Sequence, residues 1–468
     1  MEYKVQIEKW LDEHKDEFLS DLSELIAIRS VKDEPKENMP FGEGSAKAVS
    51  KAVEIFAKYG FKAENLDNFA AYADLNEKAS AVDILGHVDV VAEGDGWDTD
   101  PYTMTLKDDG CIYGRGTDDD KGPVIASLYA MRAVKELGIP LSKGARLIIG
   151  GDEESGSELD LEKYYSMFKP APATFSPDAS FPIFNTEKGG FKPKFTKAFT
   201  KTDALPRVSE FNGGIKLNVL PAKADATVSG LSDKDIEKTV AELSEKLGVK
   251  YELENVGGGV KIKVTGVSSH ASEPDEGING LTALLEILSS LPLADCDSTN
   301  AVKELAKLFP FGDAEGKALG IDMADEISGK LTLVFSLLSI NEDGLWGMFD
   351  SRTPICANDE NCVKPCEKIF KELGYEITSY VGKPHHTPAD SELCKALASV
   401  YEEFTGEKCE CLHMGGGTYV HNIEGGVAFG ATMPGFKSNL HGANERASVK
   451  NLLTASAIFA EVIISMCK

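Results

Sequence analysis

Basic residues are in short supply: 49 Lys and Arg stand against 76 Asp and Glu, a formal charge of -27. That balance argues against nucleic acid, whose binding needs a basic face to release counterions, and it disfavours anionic membrane surfaces as well. No run of 18 apolar residues occurs, so no membrane span is expected. The opening residues, Met1-Glu2-Tyr3-Lys4-Val5, lead into a charged amphipathic pattern and lack the apolar stretch of a secretory signal. The nine cysteines are an odd number, and their closest spacings, Cys409-x-Cys411 and Cys362-x3-Cys366, match neither a zinc knuckle nor a redox CxxC. They read as reduced thiols, and a cytoplasmic protein is expected. Several catalytic templates are also missing. There is no HExxH and no GxSxG, and Gly430-x4-Gly435-Phe436-Lys437 carries Phe where a phosphate loop needs Lys.

What remains is an ordinary globular composition on 468 residues, enough for two or three domains at roughly 150 residues each. Helical periodicity predicts helices over residues 3–28 and 45–59, the second stopped by Gly60. Short apolar runs at 69–75, 82–85 and 111–113 read as strands. Pro123 stands where a first-turn proline belongs and opens a further helix, and 146–149 is the next strand. Strands alternating with helices in this way predict an α/β layer architecture, in which ligands gather beyond the carboxyl ends of the strands. After Glu187-Lys188-Gly189-Gly190 the pattern changes to α+β, with strands at 224–228, 260–264 and 330–336 and helices at 233–247 and 279–291. Helices at 391–404 and 449–466 return at the end. The expected organisation is a catalytic domain over 1–187 and 385–468, with an inserted domain over 188–384.

Three loops follow strand-like runs and carry metal-type residues: Gly86-His87-Val88-Asp89, Thr117-Asp118-Asp119-Asp120-Lys121, and Gly151-Asp152-Glu153-Glu154-Ser155. A hydrolytic two-metal site needs a carboxylate that bridges both ions, His and Asp or Glu around each, and a free carboxylate beside the attacking water. Asp119 lies before a helix start, where the macrodipole favours an anion. Residues two apart on an extended strand share a side, so Asp89 can bond the His87 nitrogen that faces away from a metal. Adjacent side chains diverge, so one of Glu153 and Glu154 can bind metal while the other faces the water. Taken singly each feature is ordinary: a helix cap, a structural histidine, a solvated acid pair. Asp178 and His441 are equally plain alone. The joint pattern is what points to metal chemistry.

In this order and spacing the motifs resemble the M20 metallopeptidases, and within them the PepV-type bacterial dipeptidases, over essentially the full length. The residues carrying the resemblance are Gly86-His87-Val88-Asp89-Val90-Val91 with Gly96-Trp97, Gly114-Arg115-Gly116-x-x-Asp119-x-Lys121-Gly122-Pro123, Gly151-x-Glu153-Glu154-Ser155, and Ser176-Pro177-Asp178. Glu187-Lys188-Gly189, Gly415-Gly416-Gly417-Thr418-Tyr419 and His441-Gly442-x-Asn444-Glu445 complete them. The resemblance implies that Asp119 bridges two metals, with His87 and Asp178 completing one set of ligands and Glu154 and His441 the other. Glu153 would be the general base and Asp89 the orienter of His87. Asp119 is taken from the run Asp118-Asp119-Asp120 because the family sets its bridging acid two residues before the Lys. The same resemblance implies a catalytic domain with a mixed sheet sandwiched by helices, and an inserted α+β lid of two related halves that favours a monomer. The lid would supply His270 as an oxyanion donor, Arg352 as the clamp on a free C-terminal carboxylate, and Asn218. Gly416 and Gly417 would line the substrate site.

The resulting expectation is a dipeptidase that hydrolyses small dipeptides with two divalent ions, Zn2+ first, or Mn2+ or Co2+, and a water between them deprotonated by Glu153. An N-acyl amino acid deacylase using the same metals is the nearer alternative. A non-catalytic metal-binding protein is the distant one.

Overall fold

The computed structural model describes residues 1–468, which divide into two compact units. The first comprises Met1–Thr186, His386–Leu412 and Gly417–Lys468; the second comprises Glu187–His385 and His413–Gly416. The expected boundaries leave residues 413–416 with the catalytic part. They group instead with the second unit, where the Lys188 N–H donates to Met414 O at 3.0 Å.

A mixed nine-stranded sheet forms the heart of the first unit. Its order runs Lys62–Leu66, Ala70–Asp74, Gly144–Gly150, Ser80–His87, Ala173–Ser176, Val427–Ala428, Ile183–Glu187 and His385–His386, with Cys411–Met414 also pairing with Ile183–Glu187. The central strands are almost wholly buried, as a sheet covered on both faces requires. Successive residues serve opposite faces. Ile84, Leu147 and Ile149 join the larger core with the helices Lys121–Glu136 and Val449–Cys467, while Leu85 and Ile148 join a smaller core beneath Leu159–Tyr165. The sequence therefore builds an α/β sandwich. Val449–Cys467 is long and apolar enough to meet the composition test for a membrane span, but 67% of its apolar window is buried and its side chains line the larger core.

Two local expectations change. The helix expected over 3–28 is two helices, Lys4–Glu13 and Lys15–Ile26. They part at His14, whose ring stacks on Trp10 at 3.9 Å and reaches the Trp10 carbonyl at 2.7 Å. The strand Cys111–Tyr113 lies outside the main sheet, in a three-stranded one with Thr105–Leu106 and Arg446–Ser448. Asp119 therefore reaches the site from a loop between that small sheet and a helix start, not from a main-sheet strand end.

The second unit is an eight-stranded antiparallel sheet backed by helices. Its order is Lys250–Val256, Gly259–Thr265, Lys223–Ser229, Arg207–Gly213, Thr332–Ile340, Gly344–Thr353, Gly189–Ala198 and Glu376–Gly382. Read inward from either edge, the two halves match: an edge strand, a neighbour, then a hairpin whose inner strands meet mid-sheet between Phe211 and Ile340. Alternate residues such as Ala224, Ala226 and Val228 are buried against Asp233–Leu247 and Gly280–Ser289. Both helices start on side-chain caps: Ser232 and Asp235 bond reciprocally, and Asn279 accepts from Leu281 and Thr282 N–H groups.

Candidate metal centre

Strand register brings the first ligands level. Ser80–His87 runs parallel to both Gly144–Gly150 and Ala173–Ser176, with His87 opposite Gly150 and Ile84 opposite Phe175. His87 and Asp178 each lie three residues beyond that second pair, so they emerge at the same height. Glu153 and Glu154 follow Gly150 by three and four residues and turn back over the same edge. Gly86 permits the close approach of Asp120: a Cβ there would fall 2.5 Å from its Oδ2. That carboxylate oxygen instead accepts the His87 N–H at 3.0 Å.

Five side chains converge into two overlapping groups, one of His87, Asp119 and Asp178 and the other of Asp119, Glu154 and His441. Within each group the candidate ligand atoms lie within 4.8 Å of one another. His87 Nε2 is 3.0 Å from Asp119 Oδ1 and 3.6 Å from Asp178 Oδ2. His441 Nε2 is 2.8 Å from Asp119 Oδ2 and 3.2 Å from Glu154 Oε2. Asp119 thus presents one oxygen to each histidine. Its neighbours face elsewhere: Asp118 Oδ1 accepts from Thr432 Oγ1 at 2.6 Å, and Asp120 holds the His87 backbone.

Asp89 works on two partners. Its backbone and carboxylate oxygens lie 3.1 and 3.3 Å from His87 Nδ1. Its carboxylate also accepts the N–H groups of Glu153 and Glu154, each at 3.1 Å. A single carboxylate therefore holds the histidine and the paired glutamates. Glu154 Oε1 accepts the Val91 N–H at 3.1 Å, leaving Oε2 toward His441.

The protein groups alone carry a surplus of negative charge here. Burial, then the neighbouring Asp119, pushes the Asp178 carboxyl up to about 7. Burial raises Glu154 and lifts Glu153 well above the usual carboxylate range, the latter reinforced by Asp178 and Glu154. Asp119 is the exception: burial works against its charge, but hydrogen bonds from His441 and His87 outweigh it and hold its pKa below the usual range. Partial desolvation opposes a charged His441, whose side chain is 39% exposed, yet hydrogen bonds to Asp119 and Glu154 raise its pKa to about 11. His87 Nε2 is buried with carboxylates beside it but makes no well-formed hydrogen bond. Two three-donor sets of imidazole and carboxylate sharing one acid fit a pair of divalent cations, whose charge would offset the surplus.

Some contributors carry no expected role. Arg115 and Glu445 are buried partners at 2.7 Å. Lys121 Nζ, also buried, donates to Leu25 O and Ile28 O at 3.0 and 2.7 Å. Asp160 accepts the Asp152 N–H at 2.8 Å and the Tyr419 hydroxyl, beside the Glu153 loop. Arg115, Lys121, Tyr419 and Glu445 all stand within the motifs, which was their only signal.

The remaining expected residues belong mainly to the second unit. Asn218 and His270 meet there: Val219 pairs with His270, and the Ala271 N–H donates to Asn218 O at 3.0 Å. The Ser272 N–H donates to His270 Nδ1 at 3.2 Å, which makes Nδ1 an acceptor and puts the ring proton on Nε2. Arg352 already has partners of its own. Its Nε and Nη2 already bind Asp350 at 2.8 and 3.0 Å, and Nη1 donates to Gly415 O at 2.6 Å. A bidentate ligand is therefore left the end-on pair of nitrogens rather than the side of the fork. A Cβ on Gly416 would meet nothing within 4 Å. Gly417 is exposed and opens the first unit's last segment.

An α/β sandwich with two overlapping candidate metal-ligand groups beyond its strand ends has the make-up of a metallohydrolase-type centre. The chain belongs to peptidase family M20/M25/M40, whose model matches residues 84–465. It is similar to the putative dipeptidase YtjP of Bacillus subtilis (strain 168), at 36% identity over 461 residues, covering 97% of this chain and 98% of that one. It is similar also to the Beta-Ala-Xaa dipeptidase of Lactobacillus delbrueckii subsp. lactis, at 34% over 463 residues and 97% of both chains. Among solved structures it shares its fold with human carnosine dipeptidase 1, with a TM-score of 0.61 at 16% identity and 99% of each chain covered.

Proposed function

We propose that the chain is a metal-dependent dipeptidase, with His87, Asp119 and Asp178 holding one divalent ion and Asp119, Glu154 and His441 the other. The observation that carries this reading is the shared carboxylate: Asp119 offers one oxygen to each histidine, and Glu153 stays outside both ligand groups. When bound, the ions supply Lewis acidity that polarises a peptide carbonyl and acidifies water. Glu153 takes the proton of the attacking water and returns it to the leaving amine, a double duty suited to an acid whose pKa burial has raised. His270, protonated on Nε2, donates to the developing oxyanion. Arg352 binds the substrate's C-terminal carboxylate end-on, and Asn218, Gly416 and Gly417 complete the substrate contacts.

The names of the two relatives support dipeptides as the substrate class, β-alanyl dipeptides among them. We assign Zn2+ first, with Mn2+ and Co2+ suiting the same donors. Nine free cysteines support a reducing cytoplasm. The matched halves of the eight-stranded sheet support a monomer, since one chain supplies both.

The test is hydrolysis of Leu-Gly, β-Ala-His, a tripeptide and an N-acetyl amino acid by metal-stripped protein, by the same protein with Zn2+ or Mn2+ restored, and by Glu153→Ala. Metal-dependent cleavage of the dipeptides, lost in the variant, is the expected result. Cleavage of the N-acetyl compound alone would move the assignment to a deacylase. No turnover by protein that binds two ions would leave a metal-binding protein.

A further inference from the structure

Arg115 and Glu445 are buried in the first unit, 330 residues apart in the chain. Glu445 Oε2 accepts from Arg115 Nη1 at 2.7 Å. Its Oε1 accepts the N–H groups of Gly116, Asp118 and Asp119 at 3.0, 2.9 and 3.3 Å. From the other side, Arg115 Nη2 reaches the carbonyls of Ala92, Glu93 and Gly442 at 3.4, 3.3 and 3.2 Å. Its guanidinium lies 5.3 Å from the Trp97 ring centre. This one ion pair therefore joins the three loops that carry His87 and Asp89, Asp119, and His441.

The two ligand groups depend on that pair unequally. Strand register levels His87 and Asp178, and Asp89 and Asp120 hold His87 besides. The loop with His441 has only a short register of its own, which starts five residues later with Arg446 opposite Tyr113, and Asn439, His441 and Asn444 hold left-handed φ values of 58°, 58° and 57°. Residues other than glycine keep that conformation only where their surroundings over-determine it. Glu445, four residues after His441, is anchored on the peptide groups leading into Asp119. A buried charge that loses its partner cannot be left in place without cost, so the anchor is specific to this pairing.

The geometry points to the Arg115–Glu445 pair as a positioning element that sets the His441 half of the metal centre against Asp119. It touches neither substrate nor reacting atoms, and it acts through the ligands. This rests on the two-metal reading given above, and it predicts an unequal loss: Asp119 serves both groups, but only the second also depends on the His441 loop, so the second ion is weakened far more than the first.

The test is calorimetric titration of the full-length metal-stripped protein with Co2+, together with the visible absorption spectrum at each equivalent. Wild type, Glu445→Gln, Arg115→Lys and His441→Ala are compared, the last identifying which binding step belongs to the His441 group. The expected result is that both Glu445→Gln and Arg115→Lys keep one step within about threefold of wild type. The His441 step weakens by about ten- to a hundredfold, the range for lost outer partners of ligands, and the second-equivalent spectrum changes. Two wild-type steps with an unchanged spectrum in both variants would overturn the proposal. So would loss of both steps together with the circular dichroism signal, which is a purely structural role. Arg115→Lys keeps a cation facing Glu445 and decides the matter where Glu445→Gln does not fold. Failure of the two-metal reading shows separately, as fewer than two sites in wild type or two retained sites in His441→Ala.

Discussion

Asp119 Oδ2 lies 2.8 Å from Nε2 of His441, although 322 residues separate them in the chain. The other oxygen faces His87 Nε2 at 3.0 Å, so one carboxylate serves both histidines. Asparagine preserves the shape but replaces one acceptor oxygen with a donor. Asp119→Asn is expected to retain at most one ion per chain after dialysis, measured by atomic emission. Activity on a dipeptide should fall at least ~10³-fold, since the several kcal/mol of charge stabilisation supplied by two ions is disrupted. Two retained ions would remove Asp119 from the bridging position.

Glu153 and Asp89 separate by what they leave intact. Glu153→Gln keeps the loop and both ligand groups, so two ions should remain bound while kcat drops by about 10²–10⁴, the usual contribution of a general acid–base. Asp89→Asn keeps one acceptor oxygen where two backbone N–H groups now find a carboxylate. Its expected signature is a loss of about 10–100-fold shared between metal affinity and kcat. Metal content measured beside kcat distinguishes the two variants, and loss of metal in Glu153→Gln would reassign Glu153 as a ligand.

The α/β class was legible because central strands carry short apolar runs between helices of clear period, such as Leu147-Ile148-Ile149 in the strand Gly144–Gly150. The converging loops were legible because parallel strands end at one edge. Asp118, Asp119 and Asp120 were separable only by spacing to Lys121; the physical reasons, a Thr432 hydroxyl for one and the His87 N–H for another, come from distant segments. The strand before Asp119 read as one more of the α/β series, and its place in a separate small sheet was hidden because its partner, Arg446–Ser448, lies more than 300 residues away. Arg352 is different. Asp350 stands two residues earlier on the same strand, so period-two geometry already placed a carboxylate beside the guanidinium. The break at His14 left no propensity signal, because it depends on a ring stacked on Trp10.

Asp83 stands on the same strand as His87 and is 2% exposed. It accepts the Ala171 N–H at 2.9 Å and Ser80 Oγ at 3.0 Å, and burial pushes its pKa up to about 6. The native state therefore binds more protons than the unfolded chain between about pH 4 and 6, and stability falls as pH rises through that window. A rise from 3.8 to about 6 corresponds to about 3 kcal/mol at most. Asp83→Asn keeps an acceptor without the charge. Denaturant unfolding should show it stabilised by up to about 3 kcal/mol at pH 8 and little changed at pH 4. Equal destabilisation at both pH values would mean that the ionised carboxylate is worth more than its burial costs.

Arg352 tests the substrate's carboxyl end. Asp350, fully buried, holds the side of its fork, so the guanidinium is fixed before any ligand arrives and little side-chain entropy is lost on binding. Charge-assisted hydrogen bonds contribute about 1.5–3 kcal/mol, which corresponds to about 10–100-fold in affinity. Arg352→Ala is therefore expected to raise KM for a dipeptide by about that factor, with the smaller change in kcat. Lysine does not restore it, because an ammonium cannot bind Asp350 and a carboxylate in one plane. Steady-state kinetics on paired substrates, a dipeptide and its C-terminal amide, give the decisive comparison. Wild type should discriminate against the amide, and Arg352→Ala should treat acid and amide alike. Discrimination that survives in the variant would assign the carboxylate to another cation and leave Arg352 with Asp350 and the Gly415 carbonyl as its partners.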